Sequence, residues 1–370
     1  MLVGRVVAES TVRLWGMSST ERLRRSLARA GVEAGGDVVG PLLVLSAQWV
    51  LDDSLVKALA ARPGVALVAP DGGVVGVHAR ADEAETAVDA VSDGAADRLP
   101  PGIARLGAED LVPAYNAALR KRESPLLRRL TPEALPEIER RMFAGSYKGI
   151  TDLVTKYVWP EPALVVTRWC AAAGLTPNQV TFAGFLLVLA AFWLFWTGQF
   201  GWGLVAAWIM TFLDTVDGKL ARVTLTSSKL GNAFDHGIDL IHPPFWWWAW
   251  LIGVQAAGWS VPEPGLVLAV LFGGYIVQRL QEGLFIALFK LEIHIWRRFD
   301  SWFRLITTRR NPNLLMLTAG ALAGRPDLGL LAVAAWTAAS IGVHAVRIVQ
   351  ALWATRKGPL GSWMAQGRAA

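Results

Sequence analysis

The sequence predicts an α-helical polytopic membrane protein, with six transmembrane helices preceded by a small soluble α/β domain. Three observations carry that prediction. Of 370 residues, 53% are apolar and only 18% charged, and the mean hydropathy is +0.38; soluble domains average about 25% charged residues. The formal charge of +6 is unevenly placed, since residues 1–150 hold 19 basic and 19 acidic side chains while residues 151–370 hold 17 and 11. Tryptophan divides the same way, with 2 of 18 before position 150 and 16 after it. A basic excess confined to the apolar, tryptophan-rich part is what the cytoplasmic flanks of membrane spans show, and it removes the main support for nucleic-acid binding. The single cysteine, Cys170, excludes an internal disulfide and a cysteine metal cluster.

Met1 to Glu9 reads as a short apolar strand with one arginine rather than a secretory signal, so the N-terminus is expected in the cytoplasm. Within residues 1–112, Leu42 to Leu45, Val65 to Val68 and Gly73 to His78 read as buried strands. Ser19 to Ala30 reads as a helix behind a Ser18-x-x-Glu21 capping pattern, and Asp52 to Ala61 as a second with acids in its first turn. Strands alternating with helices predict a cytoplasmic α/β domain. Residues 113–145, rich in arginine and proline, predict a polar helical connector. Residues 146–175 mix apolar side chains with Lys148, Asp152, Lys156, Glu161 and Arg168, the pattern of an amphipathic segment along a membrane surface, with Trp159 and Trp169 at headgroup depth.

Thr176-Pro177-Asn178 opens the first apolar run, Val180 to Trp196, and further spans are expected near 201–222, 231–256, 264–289, 312–324 and 328–354. Together they make a membrane domain over 176–356, followed by a cytoplasmic tail, 357–370. Connections alternate in charge: Thr197 to Gly201 and Ala256 to Pro264 have no Lys or Arg, whereas the others carry Lys219, Arg222 and Lys229, then Lys290, Arg297, Arg298, Arg304, Arg309 and Arg310. The positive-inside bias therefore puts both termini and both basic connections in the cytoplasm of a bacterial-type inner membrane protein.

Nine acidic residues follow position 175, and four of them, Asp214, Asp217, Asp235 and Asp239, fall within 26 positions. Ionisable groups in spans are costly and mark function. Asp214 and Asp217 share one helix face; Gly231, Asp235 and Asp239 form an i, i+4, i+8 stripe on the next. Converging carboxylates repel unless a positive charge sits among them, and a divalent cation with oxygen ligands meets that need while joining phosphate oxygens. Gly218 and Ala221 leave space beside the acids, and Arg222 offers a planar fork for phosphate.

The pattern Asp214-x-x-Asp217-Gly218-x-x-Ala221-Arg222-x8-Gly231-x-x-x-Asp235-x-x-x-Asp239 resembles the complete signature of the CDP-alcohol phosphotransferase family. Thr176-Pro177-Asn178 and Arg309-Arg310-Asn311-Pro312-Asn313 also resemble family features, and the similarity spans about 146–355. The resemblance implies a metal-dependent membrane enzyme of phospholipid synthesis. Its reaction would pass a phosphatidyl group from CDP-diacylglycerol to the hydroxyl of a small polar or phosphorylated alcohol, releasing CMP. It implies two Mg²⁺ or Mn²⁺ ions on Asp214, Asp217, Asp235 and Asp239, with Asp239 also the base for the acceptor hydroxyl, and CDP contacts from Gly218, Ala221, Arg222, Gly231 and Asn178. Arg279, Arg309 and Arg310 are candidate acceptor-binding residues, with an Arg279–Glu282 pair as the alternative for the first. Implied partners are a CDP-linked lipid donor, a small alcohol and membrane lipids, with a homodimer and no nucleic acid.

The run from Asp217 through Thr224, Ser227, Ser228, Phe234, His236 and Gly237 to Asp239 is similar to the aminoalcohol branch, in which CDP-choline or CDP-ethanolamine donates to diacylglycerol. A third reading is a non-enzymatic membrane scaffold or transporter that keeps an old pocket. The N-terminal domain resembles a shortened sugar-phosphate nucleotidyltransferase, but Ala8 to Leu14 lacks the glycine-rich loop and Gln48 stands where that family has an acidic metal ligand. An amide does not neutralise a metal ion, so a scaffolding or dimer-contacting domain without nucleotidyl transfer is expected. His236 and His242 are expected at the interface, and Trp246, Trp247, Trp248 and Trp250 as an aromatic belt or lipid-facing cluster.

Overall fold

The computed structural model describes residues 2–35, 40–113, 115–116 and 121–365, in two compact units. The first comprises Met1–Tyr147 with Arg168–Gly174 and Lys219–Thr226, and the second the rest of the chain.

In the first unit, strands β1 (Val3–Val7), β2 (Arg13–Leu14) and β3 (Met17–Ser18) precede helix α1 (Ser19–Arg29). Then come β4 (Glu33–Ala34), β5 (Leu42–Ser46), β6 (Trp49–Leu51), α2 (Asp53–Ala60), β7 (Val65–Val68), β8 (Val74–Ala79) and α3 (Ala84–Asp93). Next are β9 (Ala104–Leu106), α4 (Ala108–Leu111), β10 (Tyr115–Asn116), β11 (Lys121–Arg122), β12 (Leu127–Arg129) and α5 (Leu135–Gly145). Six strands form a mixed sheet in the order β4-β1-β5-β8-β7-β9. β5 explains the layering: Leu43 and Leu45 meet Leu23, Leu27, Leu55 and Leu59 of α1 and α2, while Leu42 and Val44 meet Ala87 and Val91 of α3. The period of two in a strand buried on both faces produces a three-layer sandwich. Ser18 caps α1 by accepting from the Glu21 amide, as the capping pattern predicts.

The connector differs from the expected helix. Among the described residues of 113–145 only Leu135–Gly145 is helical, and β12 pairs antiparallel with β6, Leu127 opposite Leu51. Its prolines interrupt helical hydrogen bonding, and the open edge of β6 offers a partner instead.

In the remaining chain, α6 (Leu153–Tyr157) and α7 (Pro160–Ala172) lead to α8 (Pro177–Trp196), α9 (Phe200–Val223), α10 (Lys229–Ala256) and α11 (Pro264–Phe289). Helices α12 (Arg298–Ile306), α13 (Arg310–Leu322) and α14 (Pro326–Ala354) complete it. Thr176 and Gln179 form a reciprocal capping box that starts α8. Helices occupy all the expected span positions, but among the described residues only two, Pro177–Trp196 and Pro326–Lys357, are long and apolar enough to cross a membrane, not six. Helix α9 carries Asp214, Asp217, Lys219 and Arg222, α10 carries Asp235 and Asp239, and α11 carries Gln278, Arg279, Gln281 and Glu282, which lower their hydropathy. Helix α13 has 13 residues, too short at 1.5 Å per residue for a hydrocarbon layer of about 30 Å.

Exposure separates the two parts of the chain. Among the described residues, exposed large hydrophobic side chains occur only from Leu153 onward, including Trp193, Trp202, Trp302 and Leu322. An apolar surface this extensive is matched by lipid rather than water. The tryptophans of α10 correct the belt expectation: Trp246, Trp247 and Trp250 are fully buried with Phe195 in the helical core, and only Trp248 of the four is partly exposed. Trp246 and Trp250 donate their indole N–H groups to the Val188 and Pro326 carbonyls, both at 3.0 Å, which makes their burial affordable. Gly253 permits the approach of α8, because a Cβ there would lie 1.9 Å from the Phe195 carbonyl oxygen.

Candidate active site

Two helices carry the acids. Helix α9 supplies Asp214 and Asp217, one turn apart on one face, and α10 supplies Asp235 and, one turn later, Asp239. Carboxylate oxygens of Asp214, Asp217 and Asp235 lie within 4.8 Å of one another. Asp217 is buried and accepts a 2.6 Å hydrogen bond from the Thr181 hydroxyl of α8. Asp239 stands outside this trio. Arg310, the first residue of α13, bridges the two helices, one guanidinium nitrogen donating to Asp214 and another to Asp239. It thus supplies a positive charge that the converging carboxylates require.

The segment before α13 is fixed residue by residue. Arg309 pairs with Glu282, which also lies 3.6 Å from Arg279 and 3.2 Å from His294. Asn311 donates to Asp152 at 3.0 Å and to the Thr155 hydroxyl at 3.1 Å, and Asn313 accepts from Thr308 at 2.8 Å. Burial opposes the charge on Asp152, but bonds from the Thr155 amide and Asn311 outweigh it and hold this carboxyl below the usual range. The three candidate acceptor arginines therefore each face a carboxylate: Arg279 and Arg309 at Glu282, Arg310 at Asp214 and Asp239.

Gly218 continues the acidic face of α9, followed by Ala221 and Arg222, whose guanidinium donates to the Ser146 carbonyl at 3.2 Å. Gly231 has a steric requirement of its own. A Cβ there would lie 2.2 Å from the Asn178 side-chain oxygen and 2.8 Å from the Ser228 hydroxyl that caps α10, so Asn178 reaches α10 only because position 231 has no side chain. His236 is exposed, 3.7 Å from Asp235. His242 is buried rather than interfacial, bonded to the Ile238 carbonyl at 2.6 Å and packed edge-on against Trp246.

Helix α10 contains Pro243 and Pro244 one turn beyond Asp239. Neither has an N–H, so the carbonyls of Asp239 and Leu240 lose their helical donors. The Tyr275 hydroxyl of α11 meets them, at 3.0 Å from Leu240 O and 3.5 Å from Asp239 O. Thr181, Tyr275 and the bridging role of Arg310 are the parts of the site that sequence spacing does not reveal. The Thr-Pro-Asn turn, which places Thr181 one turn into α8, is the available signal for the first.

An all-oxygen trio of carboxylates suits a hard divalent cation such as Mg²⁺ or Mn²⁺. Asp214, Asp217 and Asp235 fit that role in donor type and mutual distance.

Comparison with known proteins agrees with this chemistry. Residues 174–297 match the family model for CDP-alcohol phosphatidyltransferase. The chain is 34% identical over 121 residues to archaetidylinositol phosphate synthase of Pyrococcus horikoshii, covering 32% of this chain and 59% of that one. It is 42% identical over 128 residues to human ethanolaminephosphotransferase 1, covering 30% and 31%. It is 34% identical over 105 residues to phosphatidylinositol phosphate synthase of Mycobacteroides abscessus, covering 27% and 44%. The matches thus span less than two thirds of these relatives' own lengths. The acidic motif, Asp214 to Asp239, lies inside the stretch that matches this family model.

Proposed function

We propose that this chain transfers a phosphatidyl group from CDP-diacylglycerol to the hydroxyl of a small polar or phosphorylated alcohol, in a bacterial-type inner membrane with both chain ends cytoplasmic. The observation that carries the reading is the convergence of Asp214, Asp217 and Asp235 within 4.8 Å inside the family match. These three hold the divalent ions, and the family resemblance implies two ions with Asp239 as a fourth ligand. The bound ions supply charge neutralisation on the donor diphosphate. Gly218, Ala221, Arg222, Gly231 and Asn178 accommodate the CDP group. Asp239 takes the proton of the acceptor hydroxyl, whose oxygen bonds to the phosphorus carrying the diacylglycerol, while the bond from that phosphorus to CMP breaks and CMP departs. Purified protein given CDP-diacylglycerol, Mg²⁺ or Mn²⁺ and a panel of alcohols, including inositol phosphate, glycerol phosphate and serine, is expected to release CMP only with the cation and one class of acceptor. No CMP from any acceptor refutes the reading.

A second reading rests on the likeness to ethanolaminephosphotransferase 1. In it CDP-ethanolamine or CDP-choline is the donor and diacylglycerol the acceptor. The same assay with the donors exchanged separates the two, because only one pair sustains turnover.

For the N-terminal α/β domain we propose a scaffolding role. Gln48, just past β5, has no carboxylate to offer a metal, and its backbone carbonyl accepts from Leu130. Helix α1 instead directs cations at the last turn of α9: Arg22 donates to Val223 O at 2.6 Å and Arg25 to Thr224 O at 2.8 Å. Burial lowers the Arg22 pKa to about 10, against the pull of Asp53 and Asp52, so it stays charged at neutral pH and complements the negative end of the helix dipole. Arg22→Ala is expected to lower stability by about 2 kcal/mol, the scale of a buried charge-assisted hydrogen bond. It should also speed amide exchange across 219–226. Unaltered exchange there would dismiss this role for Arg22.

A further inference from the structure

Beyond the catalytic reading, a cavity of about 460 Å³ opens where α12 begins and the chain leaves α14, lined by Trp296, Arg297, Arg298, Lys357, Gly358 and Trp363 among others. Its base is rigid. Trp296 is buried, with the Arg297 and Arg347 guanidinium carbons 4.3 and 4.4 Å from its ring centroid. Trp363 donates its indole N–H to Ser301 at 2.9 Å, which pins the returning C-terminal segment to α12. Gly358, at φ 133°, makes the turn that brings this segment back.

The charges around the cavity do not cancel. Asp300, the nearby carboxylate, is buried and engaged by Arg347 through two bonds of 2.6 and 2.7 Å, and it also accepts from the Arg297 amide at 2.9 Å. Among the described residues, Arg297, Arg298 and Lys357 have no acidic side chain within ion-pair distance. Three cations are thus turned toward one accessible space, and two of them are arginines suited to phosphate.

An apolar surface adjoins them. On α12, Phe299, Trp302 and Ile306 lie at i, i+3 and i+7 and are exposed, while Phe303 and Asp300 face inward. Trp353 and Leu352 of α14 are exposed as well. A short helix with one face packed, an outward aromatic stripe and basic residues at its end has the character of an element lying in a bilayer interface. Water alone leaves the stripe unsatisfied, and a neutral lipid leaves the cations unsatisfied. An anionic phospholipid satisfies both, with its phosphate among the basic side chains and its acyl chains along the aromatic stripe.

We infer that Arg297, Arg298 and Lys357 form a binding site for the phosphate-bearing headgroup of an anionic phospholipid, with α12 as its acyl-facing wall. Detergent-purified full-length protein would be titrated with short-chain phosphatidylglycerol, short-chain phosphatidylcholine and inorganic phosphate. Bound adducts are counted by native mass spectrometry. Phosphatidylglycerol is expected to be retained in preference to phosphatidylcholine, and Arg298→Glu with Lys357→Glu to weaken that retention by about tenfold or more. Both substituted side chains are exposed, so the double variant retains its core, and Arg298→Lys with Lys357→Arg should restore retention. Equal retention of the two lipids, or undiminished phosphatidylglycerol retention by the charge-reversed variant, overturns the proposal. Adducts of inorganic phosphate without lipid preference overturn it too. The readout needs no turnover, so its failure leaves the proposed transferase reaction untouched.

Discussion

Asp239→Asn is expected to cut turnover by about 10²–10⁴, the usual contribution of a general base, with little change in folding. The structure singles out this carboxylate by position. Asp214, Asp217 and Asp235 form the close trio, whereas Asp239 lies outside it and is the more accessible of the two acids held by Arg310, with a side chain 42% exposed against 18% for Asp214. Asparagine keeps the volume and can still accept from Arg310, but it does not take up a proton. The variant should therefore show an impaired chemical step at little-changed donor affinity, measured as single-turnover CMP release beside equilibrium binding of the nucleotide. Wild-type turnover in this variant would rule Asp239 out as the base.

Arg310→Ala is the second large effect. Removing this guanidinium leaves Asp214 and Asp239 without the cation that now joins them, in a site already holding Asp217 and Asp235. Breaking a buried pair by deleting one partner costs about 3–5 kcal/mol, because the remaining charge stays desolvated. The variant should unfold at markedly lower temperature in chelator. It should also recover more stability from added Mg²⁺ or Mn²⁺ than the wild type does, since a divalent ion supplies the missing positive charge. A melting temperature insensitive to the substitution would mean that Arg310 does not balance the quartet. Because Arg310 belongs to α13, such a result would also detach the segment Arg309 to Asn313 from the site.

The acidic face of each helix was legible because spacing within a helix fixes which side chains share a face; Asp214 with Asp217, and Asp235 with Asp239, needed nothing more. Contacts between helices were not legible. Thr181 meets Asp217, and Arg310 meets two aspartates from 71 and 96 positions away, through packing that no local period encodes. Arg309 and Arg310 looked like acceptor ligands or topology markers because arginine suits phosphate, a carboxylate or a membrane flank equally well, and only three-dimensional placement distinguishes these. The tryptophans of α10 show a similar ambiguity: indole rings suit an interface and a helical core alike, and their N–H bonds to Val188 and Pro326 settle it. In the N-terminal domain, where strands are buried on both faces, the central elements lay close to where the sequence put them. The β6–β12 pairing escaped notice because it joins residues far apart in the chain, Leu51 opposite Leu127 at the shortest separation and Trp49 opposite Arg129 at the longest.

The paired prolines of α10 have a mechanical consequence. Beyond them the helix is locked into the core by Trp246, Trp247 and Trp250; before them it bears Asp235 and Asp239. Two missing rungs between these halves, bridged only from outside by the Tyr275 hydroxyl, create a joint. At this joint α10 bends at a smaller energetic cost than an unbroken helix would impose.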